Sequence, residues 1–196
     1  MKWEENVRRV VPYTPGEQPE KTGIIKLNTN ENPYPPAPGV AAAAGSMDIE
    51  KLRLYPAFPE KTELARALSE HYHIGTDQIF IGVGSDDVLS MAFLTFFNSG
   101  QPIFFPDITY SFYDVWAEVY KIPYEVKPLD ENFQIRPQDY TQPNGGVVFP
   151  NPNAPTGELL SLDMVEEIVQ NNREVVVIVD EAYIDFGGTS ALPMIE

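Results

Sequence analysis

The chain has 196 residues, 43% of them hydrophobic and 21% charged, which supplies one sizeable core and excludes a disordered chain. A formal charge of -16, unbroken by any long run of Lys and Arg, repels nucleic acid phosphates and anionic lipid headgroups. The absence of cysteine excludes disulfides and thiolate metal sites, and with His71 and His73 as the only imidazoles the composition argues against a zinc enzyme.

The partners that remain are small molecules and other copies of the chain. The N-terminus, Met1-Lys2-Trp3-Glu4-Glu5, carries acids where a signal peptide needs an apolar run, and no apolar stretch approaches the length of a membrane span. A cytoplasmic protein is the expectation.

Up to about Ala57 the chain is rich in proline, with Pro12, Pro15, Pro19, Pro33, Pro35, Pro36, Pro38 and Pro56 interrupting any long element. Residues 1–57 are therefore expected to form an extended arm ahead of a domain over 58–196. Ala41 to Ala44 with Gly45-Ser46 reads as a mobile surface segment. From Thr62 the pattern changes, because Leu64, Leu68 and Tyr72 recur every four residues, Thr62 can cap the start and Gly75 can close the end, which predicts a helix.

Gln78-Ile79-Phe80-Ile81 then reads as a short buried strand, followed by a glycine turn, Gly82-Val83-Gly84-Ser85. Val88, Leu89, Ala92, Phe93, Phe96 and Phe97 form the apolar face of the next helix. The alternation continues through a strand at Ile103-Phe104-Phe105, a helix from Tyr110 to Tyr120, and strands at Tyr124-Glu125-Val126 and Val147-Val148-Phe149. A helix from Leu162 to Val169 and a strand from Val175 to Val179 complete it. Continuously apolar strands separated by helices predict an α/β fold, a mostly parallel sheet sandwiched by helices.

In such a sheet ligands gather at the carboxyl ends of the strands, and four places there stand out. Gly82-Val83-Gly84-Ser85-Asp86 feeds a helix whose free amides can hold a phosphate, although a tight structural turn reads equally well. The dinucleotide fingerprint fails, since Asp87 occupies its third glycine position; for the same electrostatic reason Asp86 should offer a phosphate its amide and turn its carboxylate away. Asn151-Pro152-Asn153-Ala154-Pro155-Thr156-Gly157 is a rigid loop presenting amide side chains at the sheet edge. Asp180-Glu181-Ala182-Tyr183 closes the most hydrophobic strand, where a partly desolvated carboxylate needs a cationic or protonated partner unless Asp180 merely caps the next element. The rival reading of Asp180 as the magnesium-binding acid of a P-loop nucleotidase needs a Gly-Lys-Ser or Gly-Lys-Thr loop, which the sequence lacks. Tyr110 follows the strand at 103–105 and could stack on a flat ring or belong to the core.

Together these pieces resemble the fold-type I aminotransferases, and the histidinol-phosphate aminotransferase family most closely. Leu27-Asn28-Thr29-Asn30-Glu31-Asn32-Pro33-Tyr34, Leu54-Tyr55-Pro56, Gly84-Ser85-Asp86, Thr109-Tyr110, the Asn-Pro-Asn-Ala-Pro-Thr-Gly loop and Val179-Asp180-Glu181-Ala182-Tyr183 fall in that family's order over essentially the whole chain. The Asn-Glu-Asn-Pro and Asp-Glu-Ala-Tyr segments are its specific part, whereas the glycine turn is not.

The resemblance implies pyridoxal 5'-phosphate as cofactor. Asp180 would pair with its protonated pyridine nitrogen, keeping the ring an electron sink when the substrate loses its alpha proton. Tyr183 and a loop asparagine would hydrogen-bond the ring's phenolate oxygen, Tyr110 would stack on the ring, and the backbone of Gly84, Ser85 and Asp86 would receive the phosphate. Tyr55 would reach the cofactor phosphate of a neighbouring subunit, which implies a homodimer with shared active sites. Tyr13, Asn30 and Glu31 would border the substrate pocket. In domain terms, residues 1–57 would be the arm and the start of a small domain, and 58–196 the first part of the cofactor-binding large domain.

Two departures stand out. The family places asparagine directly before Pro-Thr-Gly where this chain has Ala154, so the phenolate contact is expected from Asn153. The Schiff-base lysine and the substrate-gripping arginines would lie beyond Glu196, and none of Lys2, Lys21, Lys26, Lys51, Lys61, Lys121 or Lys127 takes the lysine's place. The intact parent is thus expected to transfer an amino group between histidinol phosphate and 2-oxoglutarate, an amino acid phosphate and a 2-oxo acid, in histidine biosynthesis. The chain alone is expected not to turn over, and its half-built sheet to leave an apolar edge and face uncovered. The alternatives are a phospho-amino-acid decarboxylase or other lyase on the same scaffold, and a non-catalytic fragment with only a dimerisation or folding role.

Overall fold

The structure, a computed structural model, describes residues 3–13, 16–18, 23–55, 57–58 and 61–195. Pro15, Pro19 and Pro56 of the proline-rich arm, and so the last residue of the Leu54-Tyr55-Pro56 motif, lie outside the described residues, as do Lys2, Lys21 and Glu196. The chain divides into two compact units, Met1–Tyr13 with Ile81–Glu196, and Thr14–Phe80.

The Thr14–Phe80 unit is more helical than its prolines suggest. The alanine run forms helix α1, Pro38–Gly45, where the sequence reading expected a mobile segment. Proline in the first helical turn arrives with its φ preset and needs no N–H partner, and alanine has the highest intrinsic helix propensity. Helix α2, Glu63–Tyr72, starts as expected, with the Thr62 hydroxyl accepting from the Ala65 amide at 3.1 Å. It closes earlier than expected, at His73 in the left-handed region (φ 58°). Gly75 instead opens the 3-10 turn Thr76–Gln78, its amide donating to the Gln78 side chain at 2.9 Å. The strand expected over 78–81 does not form: Ile79 to Ile81 pair with no other strand among the described residues, and Phe80 is 64% exposed. Apolar sequence supplies a face, but a strand persists only where a neighbour takes up its backbone hydrogen bonds.

The other unit holds a parallel sheet of β1 (Ile103–Pro106), β2 (Tyr124–Lys127), β3 (Val147–Pro150) and β4 (Val177–Asp180), in the order β2-β1-β3-β4. Helices α3 (Gly84–Phe96), α4 (Tyr113–Tyr120) and α5 (Leu162–Asn171) accompany it. Alternate strand residues point to opposite faces, which explains runs that are apolar throughout. Ile103, Phe105 and Val148 pack with Leu89 and Phe93 of α3 and with Tyr113, Trp116 and Ala117 of α4. Phe104, Val147 and Phe149 pack with Val165 and Ile168 of α5. Both faces are therefore covered by helices, as the sequence pattern requires.

The strand order places the site. From β1 the chain passes through α4 to β2 on one side, and from β3 through α5 to β4 on the other, so the carboxyl ends of β1 and β3 flank a topological switch point. Beside β4, an edge strand of the sheet among the described residues, an open depression combines Val177, Val179, Leu192 and Met194 with Gln170, Arg173 and Glu181. No helix among the described residues is long and apolar enough to cross a membrane.

Gly146, just before β3, has a φ of 147°, and a Cβ there would lie 2.3 Å from the Phe97 ring while its carbonyl accepts from Phe104 of β1 at 2.9 Å. Gly146→Ala is expected to cost roughly 2–4 kcal/mol, from overpacking together with backbone strain, measured as a fall in urea-unfolding midpoint.

Candidate active site

Backbone register aligns the three loops that follow β1, β3 and β4. Pro150 faces Asp180 across the β3–β4 ladder, and the Asn151 amide donates to the Asp180 carbonyl at 2.9 Å. A small cleft opens there, lined by Ser85, Tyr110, Pro150, Ala154, Asp180, Ala182 and Tyr183. Among the described residues no lysine lines it.

Asp180 and Glu181 are adjacent in sequence and diverge in space. Asp180 Oδ2 accepts from the Tyr113 hydroxyl at 2.8 Å and Oδ1 from the Ala182 amide at 3.2 Å, on the face of the sheet that carries α4. Glu181 turns away and accepts from the Ser190 hydroxyl and the Ala191 amide, both at 2.6 Å. No Lys or Arg ion-pairs with Asp180 among the described residues. Lys127, the buried lysine at the end of β2, pairs with Glu125 at 2.7 Å and lies 3.6 Å from the centre of the Phe104 ring. The cleft thus presents a half-buried carboxylate whose donors among the described residues are neutral.

Across the cleft, α3 begins at Gly84 with φ 82°, a left-handed conformation that glycine adopts without strain. No side chain caps the amides of this first turn, although Asp87 accepts from the Val83 amide just ahead of it at 3.0 Å. The Asp86 carboxylate accepts from the Tyr110 hydroxyl at 2.6 Å, which directs it away from those amides. Burial, followed by the hydrogen bond and charge of Asp86, pushes the Tyr110 phenol well above its usual range, so it stays a donor. Because α4 starts at Tyr113 rather than at Tyr110 as the sequence periodicity suggests, Tyr110 remains on the loop after β1, facing the cleft.

The asparagines of the Asn-Pro-Asn loop have a different part. Asn153 is 2% exposed; its Oδ1 accepts from Thr109 at 3.0 Å, and its Nδ2 donates to the Ile108 carbonyl at 2.9 Å and to Thr156 at 3.0 Å. Asn151, also buried, accepts from the Leu160 amide at 2.9 Å. These amides rivet the loop to itself and to the end of β1, while the side chain that reaches the cleft is Ala154. The full hydrogen-bond complement of Asn153 leaves it no donor for a ring in the cleft.

Tyr183 lines the cleft and leads into the 3-10 turn Ile184–Phe186. Tyr13 packs beside the loop after β1, its ring 4.6 Å from that of Phe112. Asn30 and Glu31 belong to the Thr14–Phe80 unit, Asn30 with φ 51° and Glu31 paired with Lys26. Tyr55, in the same unit, is fully exposed. The residue that sequence reasoning missed is Tyr113; its signal was present as a large polar-tipped aromatic at the start of a helix after a strand, but only the fold brings it to Asp180.

Residues 22–195 match the family model for aminotransferase class I and II. The histidinol-phosphate aminotransferase of Lactococcus lactis subsp. cremoris (strain SK11) is 54% identical over 196 residues, all of this chain and 55% of that protein. Histidinol-phosphate aminotransferase 1 of Methylococcus capsulatus is 53% identical over 193 residues, 98% of this chain and 54% of that protein. The chain spans about half the length of these curated relatives. In fold it is similar to the histidinol-phosphate aminotransferase from Sinorhizobium meliloti solved in complex with pyridoxal-5'-phosphate, with a TM-score of 0.71 at 21% identity over 80% of this chain and 44% of that one.

Proposed function

The chain belongs to the class I and II aminotransferases, and from that premise we propose that it forms the N-terminal part of a pyridoxal-phosphate enzyme that exchanges an amino group between histidinol phosphate and 2-oxoglutarate. The observation that carries this reading is Asp180: a carboxylate at the end of a strand, directed at a cleft shared with Ser85, Tyr110 and Tyr183, with only neutral donors of its own. A protonated pyridine nitrogen supplies the missing cation.

The donor set suits the remaining parts of the cofactor. The uncapped first turn of α3, entered through Gly84, offers the amides of Gly84, Ser85 and Asp86 to a phosphate. Tyr110 offers a ring face, and its hydroxyl holds the Asp86 charge off the phosphate. Tyr183 would be the side chain that donates to the phenolate oxygen, since Ala154 has no side-chain donor and Asn153 has none to spare. Bound there, the cofactor supplies an electron sink for the carbanion left when an amino acid loses its alpha proton. Asp180 would hold the ring nitrogen's charge and Tyr110 would set the ring plane, with Pro150 and Ala154 forming part of the wall beside them.

The reading extends to a cytoplasmic homodimer in which Tyr55, fully exposed in the single chain, reaches the cofactor phosphate of the partner. Tyr13, Asn30 and Glu31 are assigned to the substrate pocket, and 58–196 to the large domain. Supporting the substrate are the relatives above 50% identity, each a histidinol-phosphate aminotransferase. In the protein expressed from its complete gene, pyridoxal phosphate is expected to bind with a shifted absorbance band, and histidinol phosphate with 2-oxoglutarate to yield glutamate. Release of carbon dioxide from a phosphorylated amino acid, with no glutamate formed from histidinol phosphate and 2-oxoglutarate, would assign a decarboxylase, and no spectral change on adding the cofactor would dismiss the enzyme reading.

A further inference from the structure

Tyr113 is fully buried, and its ring is held on several sides: stacked at 6.0 Å on Phe93, edge-on at 5.8 Å to Phe105, and edge-on at 5.7 Å to Tyr110. Its hydroxyl is the polar end of this apolar cluster, and it donates to Asp180 Oδ2 at 2.8 Å. The Ala182 amide takes the other carboxylate oxygen, so both oxygens of Asp180 are held by groups that packing and backbone keep in place.

Tyr110, on the loop after β1, and Tyr113, at the start of α4, divide the acids of the cleft between them. Tyr110 takes Asp86 and Tyr113 takes Asp180, three residues apart in sequence. Burial, then the nearby Asp180 charge, drive the Tyr113 phenol far above its usual range, so it donates at every working pH and never competes for the proton.

We propose that Tyr113 is a positioning residue: by donating to Asp180 Oδ2 from a rigid aromatic cluster, it keeps that carboxylate aimed at the ring nitrogen of the cofactor. The inference rests on the cofactor assignment above and deepens it, because it names what makes Asp180 selective for a protonated nitrogen.

The test compares two ligands on the protein expressed from its complete gene: pyridoxal phosphate and its 1-deaza analogue, in which carbon replaces the ring nitrogen. Equilibrium affinities are measured for the wild type, Tyr113→Phe, Asp180→Asn and the double variant. The wild type is expected to prefer the nitrogen ring, and Tyr113→Phe to lose about tenfold of that preference, the scale of one hydrogen bond to a charged group, with the deaza affinity little changed. Asp180→Asn removes the preference, and adding Tyr113→Phe to it changes nothing further. Undiminished deaza binding also certifies that the phenylalanine variant is folded. If Tyr113→Phe weakens both rings alike, or leaves the preference intact, the inference is overturned while the cofactor assignment stands. A wild-type protein that binds neither ring overturns the assignment itself.

Discussion

Asp180→Asn is expected to reduce turnover of the full-length protein on the order of a thousandfold, the scale on which removing one preorganised electrostatic group from an active site is felt. The amide has nearly the shape of the carboxylate and keeps an oxygen for Tyr113, losing only the acceptor of the exposed Ala182 amide, so the fold is little disturbed. What it cannot do is balance a positive charge on the ring. Asp180 is only half buried, so solvent discounts the loss in cofactor affinity relative to a fully buried pair, to roughly 2–3 kcal/mol. The larger effect falls on the reaction, where the charge of the ring changes most. Asp180→Glu keeps the charge one methylene out of register and should fall between the two. Steady-state rates and an unfolding curve on each variant decide it: turnover within a few-fold of wild type for Asp180→Asn would remove this carboxylate from the chemistry.

Asn153→Ala should act on stability instead of on cofactor binding. The substitution deletes three side-chain hydrogen bonds, to Thr109, the Ile108 carbonyl and Thr156; Asn153 itself is buried, while Ile108 is exposed and the two threonines are half-buried. A hydrogen bond whose freed partner water can satisfy is worth about 0.5–1.5 kcal/mol, so the three together are expected to cost roughly 2–4 kcal/mol in unfolding free energy. The loop after β3 would come free of the loop after β1, and its effect on cofactor affinity would follow from that loosening. Had Asn153 held the phenolate oxygen, the pattern would be reversed, with affinity lost and the melting transition preserved. Chemical denaturation beside cofactor titration separates the two outcomes.

The asparagine loop shows where sequence reading stops. Asn-Pro-Asn-Ala-Pro-Thr-Gly after an apolar strand marks a rigid loop at the carboxyl edge of the sheet, and the loop does sit there, braced by its own amides. Which of its amides faces the cleft depends on how the backbone turns at each residue, and the density of prolines and amides is compatible with every assignment. Only the partners of Asn151 and Asn153, drawn from Leu160, Ile108 and Thr109, reveal that both point inward. The same holds for Asp180 and Glu181. Both are acids at one strand end, and the pleat of β4, set by packing of Ile178 against one core and of Val177 and Val179 against the other, sends the first to the cleft and the second away.

Sequence by itself determined the layered architecture, since β1, β3 and β4 are apolar on both faces and such runs are stable only between two layers of helices. It determined the start of α2 through Thr62, and it singled out the strand-end residues from which the cleft is built. Tertiary structure decided the rest: that Ile79 to Ile81 find no strand to pair with, that α4 begins late enough to leave Tyr110 free, and that Tyr113 donates to an acid 67 positions away. The physical reason is common to all three. Burial periodicity is local and is written in neighbouring residues, whereas a hydrogen bond's partner is chosen by whichever segment the packed sheet brings within reach.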